Sequence, residues 1–189
     1  MKVNKLEKYG ENHKTIIEAC KKGDERQKYK LYQLYSKAMF NVCYRMMNNR
    51  EEAEDMLQEG FIKVFRSIRS FEFQGSLKGW VRKIITNTAI DHWRRTVKEY
   101  SLLSLDNISS TDQPVEPAHS SADYSEIIDQ VNKLPSGARV IFNLYALEGY
   151  SHKEIAAKLN ISEGTSKSQV NRARQLLQQH LAGFFRSDG

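Results

Sequence analysis

A dense set of polar side chains recurs at helical spacing between Thr165 and Arg174. Its hydroxyl and amide groups can exchange hydrogen bonds with the edges of bases, and its cations can contact phosphates. The set comprises Thr165, Ser166, Lys167, Ser168, Gln169, Asn171, Arg172 and Arg174. This chemistry predicts a surface that binds duplex nucleic acid. An ordinary helical hairpin with a solvated polar face is the alternative interpretation.

A second group of candidate residues lies in and after a short polar segment, Phe71–Lys78. Aromatic rings can stack on an unpaired base, and amide, hydroxyl and ammonium groups suit its edge. Basic residues that follow could hold the phosphates of a separated strand. The group comprises Phe71, Phe73, Gln74, Ser76, Lys78, Trp80, Arg82, Lys83, Asn87, Arg94 and Arg95. Phe71, Phe73 and Trp80 could instead anchor the segment in a hydrophobic core.

Three further polar residues share one face of a predicted helix. Asp55, Gln58 and Glu59 stand at positions i, i+3 and i+4, opposite an apolar stripe that includes Leu57. Phe61 borders the polar face and the stripe. The face could bind a partner protein, and a simple solvated helix face is the alternative.

No residue pattern supports catalysis. The histidines His13, His92, His119, His152 and His180 are scattered and share no ligand spacing. The sequence has no nucleophile elbow, P-loop or dinucleotide fingerprint. Two cysteines, Cys20 and Cys43, cannot form a disulfide scaffold or a four-cysteine zinc site, and both are expected to be reduced packing residues. We expect no enzyme activity, no cofactor and no metal site.

Helical periodicity extends over most of the chain, and alternating strand patterns are absent, so we predict an all-α fold. Near the C-terminus, a helix over 151–159 and a helix from Ser162 to about Phe184 are separated by a break at Asn160–Ile161. This arrangement predicts a helix-turn-helix, with Ser151 and Ser162 as helix N-caps. The other expected helices begin at Leu31, near Asn49, at Leu77 (to Arg95), at Ser125 (to Leu134) and at Pro135 (to Gly149).

Charge and composition divide the chain into two basic blocks and an acidic strip. The net charge is +6, with +8 over residues 1–100 and +3 over 127–189. Residues 101–126 hold five acids and no Lys or Arg, and they include Pro114 and Pro117. We therefore predict a domain over 10–96, a flexible acidic linker over 97–124 and a second domain over 125–186. We expect no transmembrane helix and no secretory signal. We expect the protein to be located in the cytoplasm.

Two segments resemble one family of transcription factors. DMLQEGFIKVF, Asp55–Phe65, and FQGSLKGWVRKIITNTAIDHWRR, Phe73–Arg95, resemble region 2 of sigma-70-family RNA polymerase initiation factors. LPSGARVIFNLYALEGYSHKEIAAKLNISEGTSKSQVNRAR, Leu134–Arg174, resembles their region 4. At this length we expect neither a region 1.1 nor a region 3 domain. The chain is therefore identified as a member of the extracytoplasmic-function (ECF) group.

This resemblance implies a role for each group of residues. Asp55, Gln58, Glu59 and Phe61 would dock on the β′ clamp helices of the polymerase. The Phe71–Lys78 segment would take up a flipped base of the −10 element, and the Thr165–Arg174 face would read the −35 element. The first domain would bind core polymerase and open the −10 DNA. The implied partners are bacterial core RNA polymerase (β′ clamp helices and β subunit), promoter DNA and an anti-sigma factor, with no membrane insertion and no small-molecule substrate.

The recognition helix departs from the common family form, Gly-Thr-Val-Lys-Ser-Arg-Leu. Here the residues from Gly164 to Val170 are Gly-Thr-Ser-Lys-Ser-Gln-Val. Ser166 stands where a packed valine is usual, so we expect weaker packing by about 1 kcal/mol. Gln169 removes a cation, which predicts lower phosphate affinity and a changed −35 preference.

Two other classes of protein remain as alternatives. A one-component regulator would use the same helix-turn-helix but would bind duplex DNA without core polymerase. An adaptor that binds an acidic partner would not need the patterned recognition helix.

Overall fold

The structure, a computed structural model, describes residues 11–103 and 122–184, and the side chains of residues 13–97 and 127–180. These two ranges contain helices and no strand, which confirms the all-α prediction. The helices are α1 (Glu11–Lys21), α2 (Glu25–Met47), α3 (Arg50–Ser67), α4 (Leu77–Leu103), α5 (Ala122–Asn132), α6 (Ser136–Phe142), α7 (His152–Leu159) and α8 (Glu163–Phe184). A 3₁₀ turn covers Ile68–Ser70, and a π-helical segment covers Asn143–Leu147.

Several helix bounds differ from the predicted ones; helix α2, for example, begins at Glu25 rather than at Leu31. Helix α4 continues to Leu103 instead of ending near Arg95, because no proline or glycine interrupts the chain there. Helix α5 begins at Ala122 rather than Ser125. The ends of the predicted 97–124 linker are therefore helical, and residues 104–121 lie outside the described part of the chain.

The described residues form two compact units. The first contains residues 11–43 and 51–92, and the second contains 44–50, 93–103 and 122–184. Each unit has buried apolar side chains of its own, as expected of separate small domains.

The core of the first unit combines α1, α2, α3 and α4. Its fully buried side chains include Ile17, Leu31, Val64 and Val81. Helix α1, which the periodicity did not predict, contributes Ile17 and the buried thiol of Cys20. In α2 the buried face is centred near Met39, which turns Leu34 outward, 53% exposed, although its spacing predicted an inward position.

Helices α3 and α4 approach each other closely at Gly60. A Cβ atom at this position would clash with Ile85 Cδ1 and lie 3.5 Å from Ile85 Cα. Ile85 is fully buried and belongs to the same face of α4 as Val81. The absence of a side chain at Gly60 therefore sets the distance between α3, which carries Asp55, Gln58 and Glu59, and α4, which follows the Phe71–Lys78 segment.

The core of the second unit lies between α5, α6 and α8. Val131, Leu134, Ala138 and Ala173 form a buried cluster, and Phe142, Leu176 and Leu177 pack against it. The guanidinium of Arg139 donates to the carbonyls of Leu134 (2.9 Å) and Asn132 (3.2 Å), which satisfies backbone groups at the end of α5. Gly149, at φ +75°, follows the π-helical segment and ends this helical run as predicted.

Candidate nucleic-acid interface

The α3 face carries the three polar residues that the sequence grouped together. Asp55 and Gln58 are exposed, and Glu59, half-buried, forms an ion pair with Lys63 (Oε1 to Nζ, 2.7 Å). The apolar stripe behind them, Ala53, Met56, Leu57 and Val64, is buried. Amphipathic packing of α3 thus presents the polar residues to solvent on one side.

Phe61 belongs to the core. Its side chain is 3% exposed, and its ring contacts Tyr32 edge-on at a centroid distance of 4.8 Å and Phe65 at 5.9 Å. It therefore supports the exposed α3 face from behind, and no surface of it is presented to a partner.

The Phe71–Lys78 segment is held by an aromatic cluster. The ring of Phe71 is 2% exposed and lies 5.3 Å from both the Phe73 and the Trp80 centroids. The direct base contact predicted for Phe71 is corrected accordingly: this ring anchors the segment in the first unit. Phe73 and Trp80 are only half-buried, so each retains an accessible surface.

Phe73 adopts a left-handed backbone conformation, φ +55°, which is rare for a bulky residue. The Nζ of Lys21 lies 4.7 Å from its ring centroid, and Arg69 Nε donates to the carbonyl of Lys21 (3.3 Å). The C-terminal end of α1 therefore contacts this segment. Sequence reasoning missed both Lys21 and Arg69, because their positions depend on how α1 packs and no local pattern reveals that.

The polar residues of the segment are exposed. Gln74 Nε2 donates to Glu72 Oε2 (2.9 Å), and the hydroxyl of Ser76 accepts from the Gly79 backbone N–H (3.3 Å). The Ser76 carbonyl also accepts from Trp80 N–H (2.9 Å), so Ser76 caps the start of α4. This cap fixes the direction in which α4 leaves the segment.

Polar and basic side chains follow along α4. Lys78, Lys83, Arg94 and Arg95 are exposed, and Arg82 and Asn87 are half-buried. The opposite face of the helix is buried through Val81, Ile85 and Ala89. The cations are therefore placed at the surface, as contacts to phosphates require.

The helix-turn-helix forms as predicted, through local hydrogen bonds. Ser151 and Glu154 make a reciprocal capping box at the start of α7, in which Glu154 N–H donates to Ser151 Oγ and Ser151 N–H donates to Glu154 Oε2. Asn160 ends α7 in the left-handed conformation, φ 55° and ψ 49°. Ser162 caps α8, since its hydroxyl accepts from Thr165 N–H (2.9 Å).

Helix α8 separates a buried face from a polar face. Ser166, Val170 and Ala173, at spacings of four and three, are buried. The exposed residues are Thr165, Lys167, Ser168, Asn171, Arg172 and Arg174, and Gln169 is half-buried. The hydroxyl of Thr165 pairs with that of Ser162 (2.9 Å), and Ser168 Oγ donates to the Thr165 carbonyl (3.0 Å). The amide and cationic side chains therefore provide most of the polar groups that face solvent on α8.

Ser166 does not belong to this exposed surface. Its side chain is fully buried, and its hydroxyl lies 2.9 Å from His152 Nδ1. The predicted DNA contact of Ser166 is therefore corrected, because a buried hydroxyl cannot reach a base. Sequence reasoning also missed His152, although a polar residue at a normally apolar position calls for a hydrogen-bond partner.

The described residues contain no group of His, Cys, Asp and Glu that could hold a metal ion. Cys20 and Cys43 are free and buried. Among the described helices, none is long and apolar enough to cross a membrane.

Comparison with known proteins assigns two segments of the chain to known families. Residues 31–99 match the family model for sigma-70 region 2, and residues 124–177 match that for sigma-70 region 4. Both matches are to the same class, the sigma-70 initiation factors. They support the sigma-factor interpretation and give no support to the one-component regulator.

Individual relatives indicate which group of the sigma-70 initiation factors this chain resembles. ECF RNA polymerase sigma factor SigW of Bacillus subtilis is 32% identical over 179 residues, which cover 89% of this chain and 96% of SigW. SigE of Mycolicibacterium smegmatis is 32% identical over 80% of this chain, which spans 60% of SigE. Among solved structures, the sigma factor RpoE of Bartonella quintana, in complex with the anti-sigma factor NepR, is similar with a TM-score of 0.54 and 27% identity, over 82% of this chain and 96% of that one.

The chain therefore belongs to the ECF group of sigma-70-family RNA polymerase sigma factors. As a sigma factor it associates with RNA polymerase and acts in the initiation of transcription.

Proposed function

We propose that this sigma factor divides promoter recognition between two domains, residues 10–96 and 125–186. The α3 face docks on core polymerase, the Phe71–Lys78 segment and α4 take up the −10 DNA, and α8 reads the −35 element. The protein makes and breaks no covalent bonds itself and needs no cofactor. It acts in the cytoplasm, where the polymerase and the chromosome are.

The observation that carries this proposal is the exposure of three separate polar faces, each supported by a buried one. Asp55 and Gln58 extend from α3, Gln74 and Lys78 lie around the start of α4, and Arg172 with its neighbours lies on α8. The domain division that we propose, 10–96, a linker over 97–124, and 125–186, places the first two faces in one domain and the third in the other.

Docking on polymerase is proposed for Asp55, Gln58 and Glu59, with Phe61 as their support. A carboxylate and an amide on one helix face can accept and donate hydrogen bonds across a protein interface. Lys63 holds the Glu59 carboxylate in place, which limits the side-chain entropy lost on binding.

At the −10 element we propose that Phe73 and Trp80 offer ring surface to an unstacked base. Gln74 and Lys78 bind its edge or the adjoining backbone. The cations of α4 then contact the phosphates of the separated strand, with Phe71 as the anchor beneath them.

At the −35 element we propose that Lys167, Asn171, Arg172 and Arg174 make the main contacts, together with Thr165, Ser168 and Gln169. Asn and Arg side chains can read base edges through two hydrogen bonds, and the cations hold the duplex backbone.

An anti-sigma factor is the proposed regulatory partner. The Bartonella relative is seen in complex with such a protein. The net charges of +8 over residues 1–100 and +3 over 127–189 favour a partner with an acidic surface.

The roles can be separated with paired substitutions in the full chain. Lys167→Ala and Arg172→Ala should each weaken binding of the holoenzyme to −35 duplex DNA by about 1–3 kcal/mol and leave affinity for core polymerase unchanged. Asp55→Ala with Gln58→Ala should weaken core binding and leave the intrinsic −35 contacts intact. Titrations with labelled core polymerase and with a −35 duplex measure the two affinities separately.

Matched controls come from exposed residues outside these faces. Lys133→Ala removes a cation from the second unit, and Glu25→Ala removes an exposed acid from α2. Both variants should retain the two affinities. If the α3 pair and the α8 variants lose the same affinity, the assignment of roles to the two domains is wrong.

A further inference from the structure

A polar link joins the two helices of the helix-turn-helix. His152, the first residue of α7, places Nδ1 2.9 Å from the hydroxyl of Ser166, one turn into α8. The Ser166 side chain is fully buried, so water does not compete for its hydroxyl. One hydrogen bond therefore connects the start of α7 to the buried face of the recognition helix.

The imidazole of His152 is also held in place by Tyr145, which follows α6 in the chain. Its ring stacks on that of Tyr145, with centroids 4.4 Å apart and planes inclined by 14°. The Ser151–Glu154 capping box fixes the backbone at the same point. The ring and the backbone of His152 are both constrained by contacts that do not involve Ser166. These contacts therefore fix the position of Nδ1 independently of Ser166.

Tyr145 also contacts the polar side of α8. The guanidinium carbon of Arg174 lies 5.7 Å from the Tyr145 ring centroid. Tyr145 therefore contacts both His152, which bonds the buried face of α8, and Arg174, which lies on its exposed face. These contacts engage α8 at two positions, 166 and 174, about two turns apart.

Rotation of α8 about its axis decides which side chains face the base edges. A valine at position 166 would pack against α7, but apolar packing would not fix the rotation of α8. A buried hydroxyl does constrain this rotation, because its hydrogen bond forms only when it faces its partner. The serine at this position thus makes the orientation of α8 depend on His152.

We propose that His152 is a positioning residue for −35 recognition: through Ser166, and together with Tyr145, it sets the rotation of α8 and hence the base preference of the protein. This inference rests on the proposed function, in which α8 reads the −35 element. No contact between His152 and DNA is required.

The test uses holoenzyme made with the full chain, a −35 duplex and its single-base variants. His152→Phe keeps an aromatic ring for Tyr145 but removes the partner of Ser166. We expect −35 affinity to fall about tenfold, since a buried hydroxyl left unsatisfied is costly. We also expect the ranking of the single-base variants to change, with core polymerase affinity unchanged.

Rescue distinguishes positioning from general damage. Adding Ser166→Val to His152→Phe removes the unsatisfied hydroxyl but restores no link between α7 and α8, so affinity should return to within about threefold of the parent while the base ranking stays changed. The same exchange at His13, a half-buried histidine of the first unit, should leave −35 affinity and base ranking unchanged. If His152→Phe is poorly folded by circular dichroism, His152→Gln replaces it; its amide can still bond Ser166 but cannot stack in the same way, and it should retain the base ranking.

Two results would overturn the inference: a His152→Phe protein with the parent affinity and base ranking, or a double variant with the parent base ranking. The Arg172→Ala variant shows whether the proposed function has failed instead. If Arg172→Ala has no effect on −35 binding, α8 does not read this element. If Arg172→Ala binds weakly while His152→Phe behaves like the parent, only the positioning role is wrong.

Discussion

The thiol of Cys20 lies at the end of α1 with 1% of its surface exposed. Burial is the main cause that raises the pKa of this thiol above its ordinary value, and nearby Lys28 opposes the shift. The native state therefore holds the proton more tightly than the unfolded state. Its contribution to stability is complete below the unfolded pKa, about 8.5, and is lost as the pH rises through the higher folded value.

We expect iodoacetamide to modify Cys20 at least tenfold more slowly in the native protein than in urea. Peptide-resolved mass spectrometry at pH 8 measures the two rates, and urea unfolding between pH 7 and 10 measures the loss of stability. In the Cys20→Ala variant this pH-dependent loss should be smaller. Modification of native Cys20 at the unfolded rate would show that the thiol is not enclosed.

At the scale of single residues, local hydrogen bonding was predictable and burial was not. Ser151, Asn160 and Ser162 have the predicted roles because caps and turns depend on neighbours in sequence. Phe71 and Ser166 have other roles than predicted, because their burial depends on distant helices. The expected packing loss at Ser166 also neglected His152, which partners the hydroxyl.

At the scale of elements, Gly60 controls the approach of α3 to α4. Gly60→Ala would place a Cβ against Ile85, which is buried and cannot move aside freely. Overpacking of this kind costs about 1–3 kcal/mol, and the better helix propensity of alanine offsets about 1 kcal/mol. We expect a net loss of stability of about 1 kcal/mol, measured by urea unfolding of the full chain.

Gly79 provides the matched control in the same unit. A Cβ there would meet only Ser76 Cβ, at 3.7 Å, an ordinary contact. Gly79→Ala should therefore leave stability unchanged or raise it by up to about 1 kcal/mol. If Gly60→Ala is as stable as Gly79→Ala, the close approach of the two helices does not constrain the fold.

The helices that the sequence predicted best are those with local end signals. The bounds of α7 and α8 agree with prediction to within one residue at their N-terminal ends, because serines cap both. Helix α1 was missed since its apolar face is short, and α4 was predicted to end near Arg95 although it continues to Leu103. Such elements gain stability from packing, which a periodicity window does not register.

At the scale of the whole molecule, the two basic blocks agree with a protein that contacts DNA at two places. Residues 1–100 and 127–189 carry the positive charge, and the acidic strip between them carries none. A duplex or a single strand releases counterions when lysines and arginines neutralise its phosphates, so both contacts should weaken with salt.

The charge pattern could be predicted from composition. The proposed assignment of polymerase, −10 and −35 contacts to different parts of the chain could not. That assignment came from the resemblance, and the matches to regions 2 and 4 place both regions in one chain. The burial of Phe61 and Ser166 then restricts which residues can contact a partner directly.

The most direct test of the account is run-off transcription with purified bacterial core polymerase and a library of promoter fragments, with and without this protein. The account predicts transcripts that start at defined promoters only when the protein is present, and that disappear when Arg172→Ala or the Asp55→Ala, Gln58→Ala pair is introduced. Absence of such transcripts, together with tight binding of the protein alone to a palindromic duplex, would contradict it.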